Sequence, residues 1–281
     1  MAQGHSGHRT PQRHQGHTAR KRFGQNFLVD QDIIGQIVTA ISPKPGEFIV
    51  EIGPGLGALT VPLLAACGKL HVVEIDRDLI ARLHQTYAPE QVTVHEGDAL
   101  EFDFSSLPAP LRVVGNLPYN ISTPLLFHLA DYADRVRDMT FMLQKEVVDR
   151  MVAKPGEEAY GRLSVMLQYR FAMASLFDVP GTAFNPPPKV TSAIVYMRPL
   201  PAEALGCKNP ELMGKIVTAA FGQRRKTLRN TLRPWLELED FDALGMNPQE
   251  RGERLAVADF VHIADYIHAR AGSSGDRDLG A

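Results

Sequence analysis

The sequence has little cysteine and no long apolar run. Cys67 and Cys207 are the only cysteines among 281 residues, and they lie far apart. Their spacing fits no metal site, so we expect a reduced environment rather than a disulfide framework. No apolar run approaches the roughly 20 residues that span a bilayer, and no apolar signal core opens the chain. These absences predict a cytoplasmic globular protein with no membrane and no metal partner.

Acidic side chains are missing from two stretches of a chain whose net charge is only -2. Residues 1–29 and 212–236 contain no Asp or Glu. The basic side chains there are Arg9, Arg13, Arg20, Lys21 and Arg22, then Lys215, Arg224, Arg225, Lys226, Arg229 and Arg233. Such segregation suits a polyanion partner, although a solvated face is the commoner meaning of any one charge run.

Short apolar strands alternate with helical periodicity from Asp30 onward, and Asp30 itself is a possible helix N-cap. The strand-like runs are FIVEI (48–52), LHVVEI (70–75), QVTVH (91–95), LRVV (111–114) and DMTFML (138–143). This alternation predicts an α/β fold, with a parallel, doubly wound Rossmann-like sheet. Residues 174–179 and 193–197 are expected to complete it as an antiparallel edge.

Prolines at 199 and 201 mark a predicted domain boundary. We expect a basic, disordered tail facing RNA at 1–20, the α/β domain at 21–198 and a small all-helical domain at 199–271. The last residues, 272–281, are predicted to be a frayed tail. Helical stretches are predicted from about Pro210 to Trp235 and from Asp259 to Ala271.

VEIGPGLGALT (50–60) places Gly53, Gly55 and Gly57 between a strand and a helix. Glycines there let the backbone turn sharply and approach a ligand. Three acids strengthen the prediction of a ligand site: Glu51, Glu74 at the next strand end, and Asp98 in EGDAL, beside Ala99. Singly, each acid could serve as a cap or turn residue.

The acid that ends the second strand is placed to hold the hydroxyls of a ribose, which first suggests a dinucleotide. The glycine spacing is GxGxG rather than GxGxxG, however, and no GK[ST] follows to bind a triphosphate. Glu51 suits a cationic ligand better than a pyrophosphate. S-adenosylmethionine, an adenosine without phosphates that carries an ammonium and a sulfonium, fits all of these features best.

GNLPYNIS (115–122) follows the fourth strand and contains neither charge nor a common nucleophile. Adenine N6 is a poor nucleophile because its lone pair is delocalised into the ring, so alkylation needs acceptors that reshape and aim the amine. The Asn116 side-chain oxygen and the Leu117 carbonyl can accept its two N–H bonds while Tyr119 stacks on the base. No strong base is needed, since the amine acidifies after methyl transfer. A buried Asn-Pro turn is the alternative.

Two later segments are also distinctive. FNPPPKV (184–190) is a rigid proline loop, and Phe184 at its start could cover the second face of a flipped base or lie in the core. FGQRRKTLRNTLRP (221–234) predicts a helix with Phe221, Leu228 and Leu232 inward. Its arginines at 225, 229 and 233 would form an i, i+4 row that binds phosphates with little sequence information.

With these residues in view, the chain resembles the ribosomal RNA adenine dimethyltransferases, and the RRKTLRN segment favours their small-subunit branch. The resemblance runs from about Lys21 to Ile267. Its motifs occur in the family's order: KRFGQNFL, VEIGPGLGALT, GNLPYNIS, MLQKEVVDRM, YGRLSVMLQY, FNPPPKVTSAIV and AFGQRRKTLRNTL.

The resemblance implies a class I methyltransferase that uses S-adenosyl-L-methionine to dimethylate N6 of two adjacent adenines. The target would be a hairpin loop near the 3′ end of small-subunit rRNA, in an immature 30S subunit late in assembly. By motif, Gln25, Asn26 and Leu28 close over the cofactor and Gly53, Glu74, Asp98 and Asn116 contact it, with Glu51, Gly55 and Ala99 beside them. By the same carry-over, the target base contacts Asn116, Leu117, Tyr119 and Phe184.

Three other functions stay open at this point. The protein could act as a ribosome-assembly checkpoint, in which docking matters more than the methyl mark. It could be an organellar transcription-factor relative that melts promoter DNA, or a duplex-DNA adenine methyltransferase, because the target amine is the same. We expect a monomer.

Overall fold

The computed structural model describes residues 13–14, 17–18, 26–204, 206–223 and 225–275. The chain folds into two compact units. The first comprises residues 1–145 and 176–196, and the second comprises residues 146–175 and 197–281.

The strands of these residues are two to nine residues long. They are β1 (Arg13–His14), β2 (His17–Thr18), β3 (Phe27–Leu28), β4 (Ile49–Ile52), β5 (Leu70–Glu74), β6 (Val92–Glu96), β7 (Leu111–Asn116), β8 (Val136–Gln144), β9 (Phe171–Val179), β10 (Phe184–Asn185) and β11 (Ser192–Pro199).

The α-helices alternate with the strands in the first half of the chain and dominate the second half. They are α1 (Gln31–Ile41), α2 (Thr60–Cys67), α3 (Arg77–Thr86), α4 (Ser122–Ala130), α5 (Lys145–Val152), α6 (Arg162–Gln168), α7 (Pro210–Gly222), α8 (Leu228–Thr231), α9 (Leu238–Leu244) and α10 (Val257–Gly275). Single 3-10 turns lie at 104–106, 133–135, 181–183, 202–204 and 252–254.

A seven-stranded sheet has the order β6-β5-β4-β7-β8-β11-β9. Five neighbouring strands of this sheet, in the order β6, β5, β4, β7 and β8, pair in parallel. The chain runs outward from β4 in both directions, which creates the kind of switch point where open α/β sheets bind ligands at their carboxyl ends. The predicted α/β class is confirmed, and so is the place of β9 and β11 at the edge of the sheet.

Helices α1, α2 and α3 cover the sheet with one apolar cluster. Ile37 of α1 and Leu63 of α2 are 2% and 0% exposed and pack in the same cluster as Leu70 of β5. The carboxylate of Asp30 accepts the N–H groups of residues 32 and 33 at 3.0 and 3.1 Å. The predicted N-cap is therefore confirmed, and it fixes where α1 begins.

A buried arginine links the amino-terminal ends of two central strands. Arg112 Nε donates to Asp138 Oδ1 at 2.9 Å, and Arg112 Nη1 donates to Glu47 Oε2 at 2.5 Å. The same guanidinium also donates to the carbonyls of residues 41 and 42 at the end of α1. Because a guanidinium buried without partners is costly, this network holds α1 and β8 to β7.

The second unit has its own apolar core, in which Val165 of α6, Ile216 of α7 and Phe260 of α10 are each 0% exposed. Residues 146–175 belong to this unit, whereas the sequence boundary at 198 assigned them to the α/β domain. The physical reason is that Val165 of α6 packs in the same apolar cluster as residues of α7 and α10.

The predicted continuous helix from 210 to 235 is wrong. Helix α7 ends at Gly222 and α8 begins only at Leu228, with residue 227 in an extended conformation. The break occurs because the N–H groups of Leu228 and Arg229 bond to the carbonyls of Glu250 and Pro248, at 2.7 and 3.0 Å. The arginines at 225, 229 and 233 therefore form no i, i+4 row, although Leu228 and Leu232 are buried as predicted.

Both tails differ from expectation where they are described. Strands β1 and β2 pair antiparallel inside the stretch predicted to be disordered. The prediction of disorder is therefore wrong for residues 13–14 and 17–18. At the other end, α10 continues through Gly275, beyond the predicted start of fraying at residue 272.

Candidate active site

A cavity of about 320 Å³ opens at the carboxyl ends of β4, β5 and β7. Its size is within the range of small-molecule sites. Eleven predicted site residues line it: Asn26, Leu28, Glu51, Gly53, Gly55, Glu74, Asp98, Ala99, Asn116, Leu117 and Tyr119. Sequence motifs that lie between Asn26 and Tyr119 thus converge on one site.

The glycine turn forms the floor of this cavity. Gly53, Gly55 and Gly57 have φ angles of 64°, 59° and 90°, a region that residues with a Cβ rarely adopt. The N–H of Gly53 donates to the carbonyl of Val73 at 2.9 Å, which anchors the turn to β5. The predicted conformational role of these glycines is confirmed.

Glu51 is a buried acid at the end of β4, with a side chain that lines the cavity. Its Oε2 accepts a hydrogen bond of 2.6 Å from the hydroxyl of Thr60, the first residue of α2. Burial raises the pKa of Glu51 to about 7, and the negative charge of Glu74 adds to the rise while the Thr60 bond opposes it. A cation in the cavity would stabilise the ionised form.

Glu74 lies at the end of β5 and is 6% exposed. Its Oε1 accepts the N–H groups of Ile75 and Asp76, each at 2.9 Å. Burial raises the pKa of Glu74, against the effect of these two hydrogen bonds. Asp98, which follows β6, accepts the N–H of Leu100 at 2.9 Å. Both acids are thus held by the backbone at the cavity wall.

The GNLPY segment lines the cavity at the carboxyl end of β7, the strand that pairs with β4. Asn116 Nδ2 donates to the carbonyl of Asn26 at 3.2 Å, which distinguishes the amide's nitrogen end from its oxygen end. The hydroxyl of Tyr119 is 2.7 Å from Ser192 Oγ. Leu117 N–H donates to the carbonyl of Met142 at 3.2 Å, and this bond ties the segment to β8.

Phe184 does not line this cavity. It is 4% exposed and packs in the core cluster with Leu28 and Ile194. The reason is the antiparallel pairing of β10 with β3, in which Phe184 lies opposite Leu28. Of the two alternatives that the sequence left open, the structure therefore shows the core position.

Some predicted residues lie outside the described part of the chain or in the second unit. Gln25, Arg20, Lys21, Arg22 and Arg224 are not among the described residues. Arg225, Lys226, Arg229 and Arg233 are exposed and belong to the second unit.

Sequence reasoning missed four residues that shape the site. Ile75 lines the cavity with 45% of its surface exposed, and its place beside Glu74 could have suggested it. A Cβ on Gly115 would lie 2.5 Å from the carbonyl oxygen of Ile52, so this position excludes side chains. Thr60 and Ser192 act through contacts 9 and 73 residues away in sequence, which no local signal reveals.

Among the described residues, none of the helices has the length and apolar character required to cross a membrane. The same residues contain no group of three or more His, Cys, Asp or Glu side chains arranged to hold a metal ion.

The sheet order, the glycine turn and the acids at successive strand ends define a Rossmann-like class I methyltransferase fold. The chain matches the family described as ribosomal RNA adenine dimethylase over residues 16–269. It therefore belongs to the ribosomal RNA adenine dimethylase family, and it is a methyltransferase.

Individual relatives agree with this assignment. The chain is 71% identical over 255 residues to "Ribosomal RNA small subunit methyltransferase A" of Aromatoleum aromaticum, covering 91% of this chain and 96% of the relative. The protein of that name from Dechloromonas aromatica is 60% identical over 252 residues, with 90% and 99% covered.

Solved structures share the fold. A dimethyladenosine transferase from Plasmodium falciparum superposes with a TM-score of 0.75 at 26% identity, covering 87% of this chain and 98% of the other. The 23S rRNA methyltransferase ErmE superposes with a TM-score of 0.68 at 23% identity, covering 86% and 100%.

Proposed function

We propose that this protein transfers methyl groups from S-adenosyl-L-methionine to N6 of two adjacent adenines in small-subunit rRNA. The target is a hairpin loop near the 3′ end, and the reaction takes place in the cytoplasm on an immature 30S subunit late in assembly. The observation that carries the proposal is the meeting of Asn116, Leu117 and Tyr119 with three acids in one cavity.

The cavity's side chains fit the cofactor. No lysine or arginine is among the described residues that line it, which disfavours a pyrophosphate, whereas three carboxylates favour a cation and hydroxyl groups. Glu74 would accept the ribose hydroxyls, Asp98 the adenine amino group and Glu51 the ammonium. Asn26 and Leu28 would close over the ligand. When bound, S-adenosylmethionine supplies a sulfonium methyl group that an amine nitrogen can attack.

Asn116, Leu117 and Tyr119 bind and orient the adenine that accepts the methyl group. The Asn116 side-chain oxygen and the Leu117 carbonyl would accept the two N6–H bonds, drawing the lone pair out of conjugation with the ring. The bond from Asn116 Nδ2 to the Asn26 carbonyl supports this role because it leaves the amide's oxygen end as the acceptor. Tyr119 would stack on the base, and water would take the proton that the amine releases. Positioning of this kind is worth several kcal/mol.

Small-subunit rRNA is the substrate that the relatives' names support. The exposed Arg225, Lys226, Arg229 and Arg233 add a site for phosphates in the second unit, even though they share no helix face. Phosphate contacts supply affinity without reading sequence, so base choice would lie with the cavity. Duplex DNA offers the same amine and is therefore the substrate to exclude by experiment.

The test is to replace Asn116 by alanine. We expect methyl transfer to unmethylated small subunits to be lost while the cofactor dissociation constant changes little, because Glu51, Glu74 and Asp98 would still hold the cofactor. Labelled S-adenosylmethionine and mapping of the modified bases give the readout. Gln36→Ala, an exposed amide on α1, is the matched control. Retained turnover in Asn116→Ala, or labelling of duplex DNA instead of the subunit, would contradict the proposal.

A second role as an assembly checkpoint is favoured by the separation of the two cores. The cavity belongs to the first unit, and the exposed basic side chains belong to the second. Docking could therefore survive the loss of catalysis. Asn116→Ala should bind immature subunits and alter their maturation if docking has a function of its own, and it should behave like a deletion if it has none.

A further inference from the structure

The hydroxyl of Tyr119 has a defined partner outside the GNLPYNIS segment. It lies 2.7 Å from the hydroxyl oxygen of Ser192, which is fully buried. Tyr119 itself is half-buried and lines the cavity. The contact joins the wall of the cavity to the first residue of β11.

Ser192 is a rigid point of attachment. Strand β11 lies between β8 and β9 in the sheet, and the next two residues, Ala193 and Ile194, are 0% exposed. The carbonyl of Thr191 accepts the N–H of Lys145 at 2.9 Å. The backbone that carries this hydroxyl therefore cannot shift without moving the sheet.

A tyrosine ring turns about two side-chain torsions, and its hydroxyl is the atom farthest from the backbone. A hydrogen bond at that atom restrains the first torsion, and with it the direction in which the ring projects from the backbone; the second torsion turns the ring about an axis that passes through the hydroxyl oxygen. Burial raises the pKa of Tyr119, so the hydroxyl keeps its proton at neutral pH and can donate to Ser192.

We propose that Ser192 is a positioning residue for methyl transfer, which holds the Tyr119 ring in the place where the target adenine stacks. This inference rests on the proposed function, in which Tyr119 contacts the base. Ser192 touches neither substrate in this scheme and acts through Tyr119. Because misplacement by about 1 Å can lower a rate by about a hundredfold, a loosened ring should slow transfer by about tenfold or more.

A double-mutant cycle separates positioning from mere packing. Tyr119→Phe keeps the ring and removes the hydroxyl, Ser192→Ala removes its partner, and the third protein carries both changes. The readouts are the single-turnover rate of methyl transfer to small subunits at saturating cofactor, the cofactor dissociation constant, and thermal unfolding. Tyr160→Phe is the matched control, because its buried hydroxyl donates to the Leu255 carbonyl at 2.8 Å within the second unit's core.

We expect each single variant to lose about tenfold in rate and the double variant to lose no more than the slower single, since all three lack the same bond. Cofactor affinity should be unchanged, and Tyr160→Phe should lose stability without losing rate. Multiplying losses in the double variant, or a wild-type rate in Ser192→Ala, would overturn the inference. If Ser192→Ala fails to fold, a wild-type rate in Tyr119→Phe overturns it equally.

The outcomes also separate this inference from the proposed function. If the unaltered protein places no methyl group on adenine N6, the proposed function fails. If it does so and Asn116→Ala abolishes transfer, but both hydroxyl variants retain the full rate, only the role of Ser192 fails.

Discussion

Replacing Glu51 by glutamine should make the protein more stable at alkaline pH. The pKa of this carboxyl is raised from 4.5 to about 7 in the folded protein, chiefly by burial. The folded state therefore keeps a proton over a pH range in which the unfolded chain has lost it. The contribution of Glu51 to the free energy of unfolding therefore becomes more unfavourable as pH rises from 4.5 to about 7, and it is constant above that range.

The magnitude follows from the two pKa values. At about 1.4 kcal/mol for each pH unit between them, ionised Glu51 costs about 3 kcal/mol of stability above pH 7. Glutamine carries no charge, and its side-chain oxygen can still accept the hydroxyl of Thr60, now 2.6 Å from the carboxylate. The gain in the free energy of unfolding should be about 1 kcal/mol at pH 5.5 and about 3 kcal/mol at pH 8.5.

The measurement must report on the first unit. Trp235, the sole tryptophan, belongs to the second unit, so its fluorescence is a poor probe. Hydrogen exchange of the amides of Val50 in β4 and Val73 in β5, the paired strands that carry Glu51 and Glu74, gives the free energy of opening of this part of the sheet. Glu90→Gln, an exposed carboxyl in the same unit, controls for the loss of one charge.

The same substitution that stabilises the protein should weaken its binding of the cofactor. If Glu51 faces the ammonium of S-adenosylmethionine, the glutamine variant should bind it about tenfold or more weakly at pH 8.5, because a charge-assisted contact is lost. Equal stability of the two proteins at pH 8.5, or a difference that does not change with pH, would refute the reasoning about burial. Unchanged affinity would refute the assigned contact.

Three further predictions follow from single contacts. Gly115→Ala should displace β7 from β4 and abolish both cofactor binding and methyl transfer, because its Cβ would meet the Ile52 carbonyl at 2.5 Å; wild-type calorimetric binding would contradict this. Arg112→Met should cost about 3–5 kcal/mol in denaturant unfolding, because buried Asp138 loses its partner at 2.9 Å while Glu47 keeps Arg137 at 2.7 Å. A cost below about 1 kcal/mol would show that the network is dispensable. Arg229→Ala should reduce the slope of log affinity for RNA against log salt concentration by about 0.7–0.9. Lys215→Ala should change this slope less, because the ammonium of Lys215 is paired with Glu211 at 2.7 Å. Equal slopes for Arg229→Ala and the unaltered protein would exclude Arg229 from the RNA contact.

The local features of the site were predictable because each depends on near neighbours in the chain. The glycine turn at 53–57 needs positive φ, which glycine alone adopts readily, and the cap at Asp30 needs only the next three residues. Parallel strands bring their carboxyl ends to one edge, so Glu51, Glu74 and Asp98 could be placed together before any coordinates.

The features that sequence reasoning mistook depend on distant partners. The helix through the basic segment is interrupted because Leu228 and Arg229 bond to carbonyls about 20 residues later in the chain. Phe184 enters the core because β10 pairs with β3, more than 150 residues earlier. Neither the helical periodicity of residues 221–234 nor the prolines of residues 184–190 indicate these long-range contacts.

Local propensity and spacing are enough to predict the alternating α/β pattern, the glycine turn, the row of acids and the uncharged amide motif, since they act over a few residues. Three other features come from long-range contacts: residues 146–175 pack with the second unit, burial brings the pKa of Glu51 to about 7, and Tyr119 bonds to Ser192. These depend on which surfaces lose contact with water when the chain folds, and that is a property of the whole packed molecule rather than of any segment.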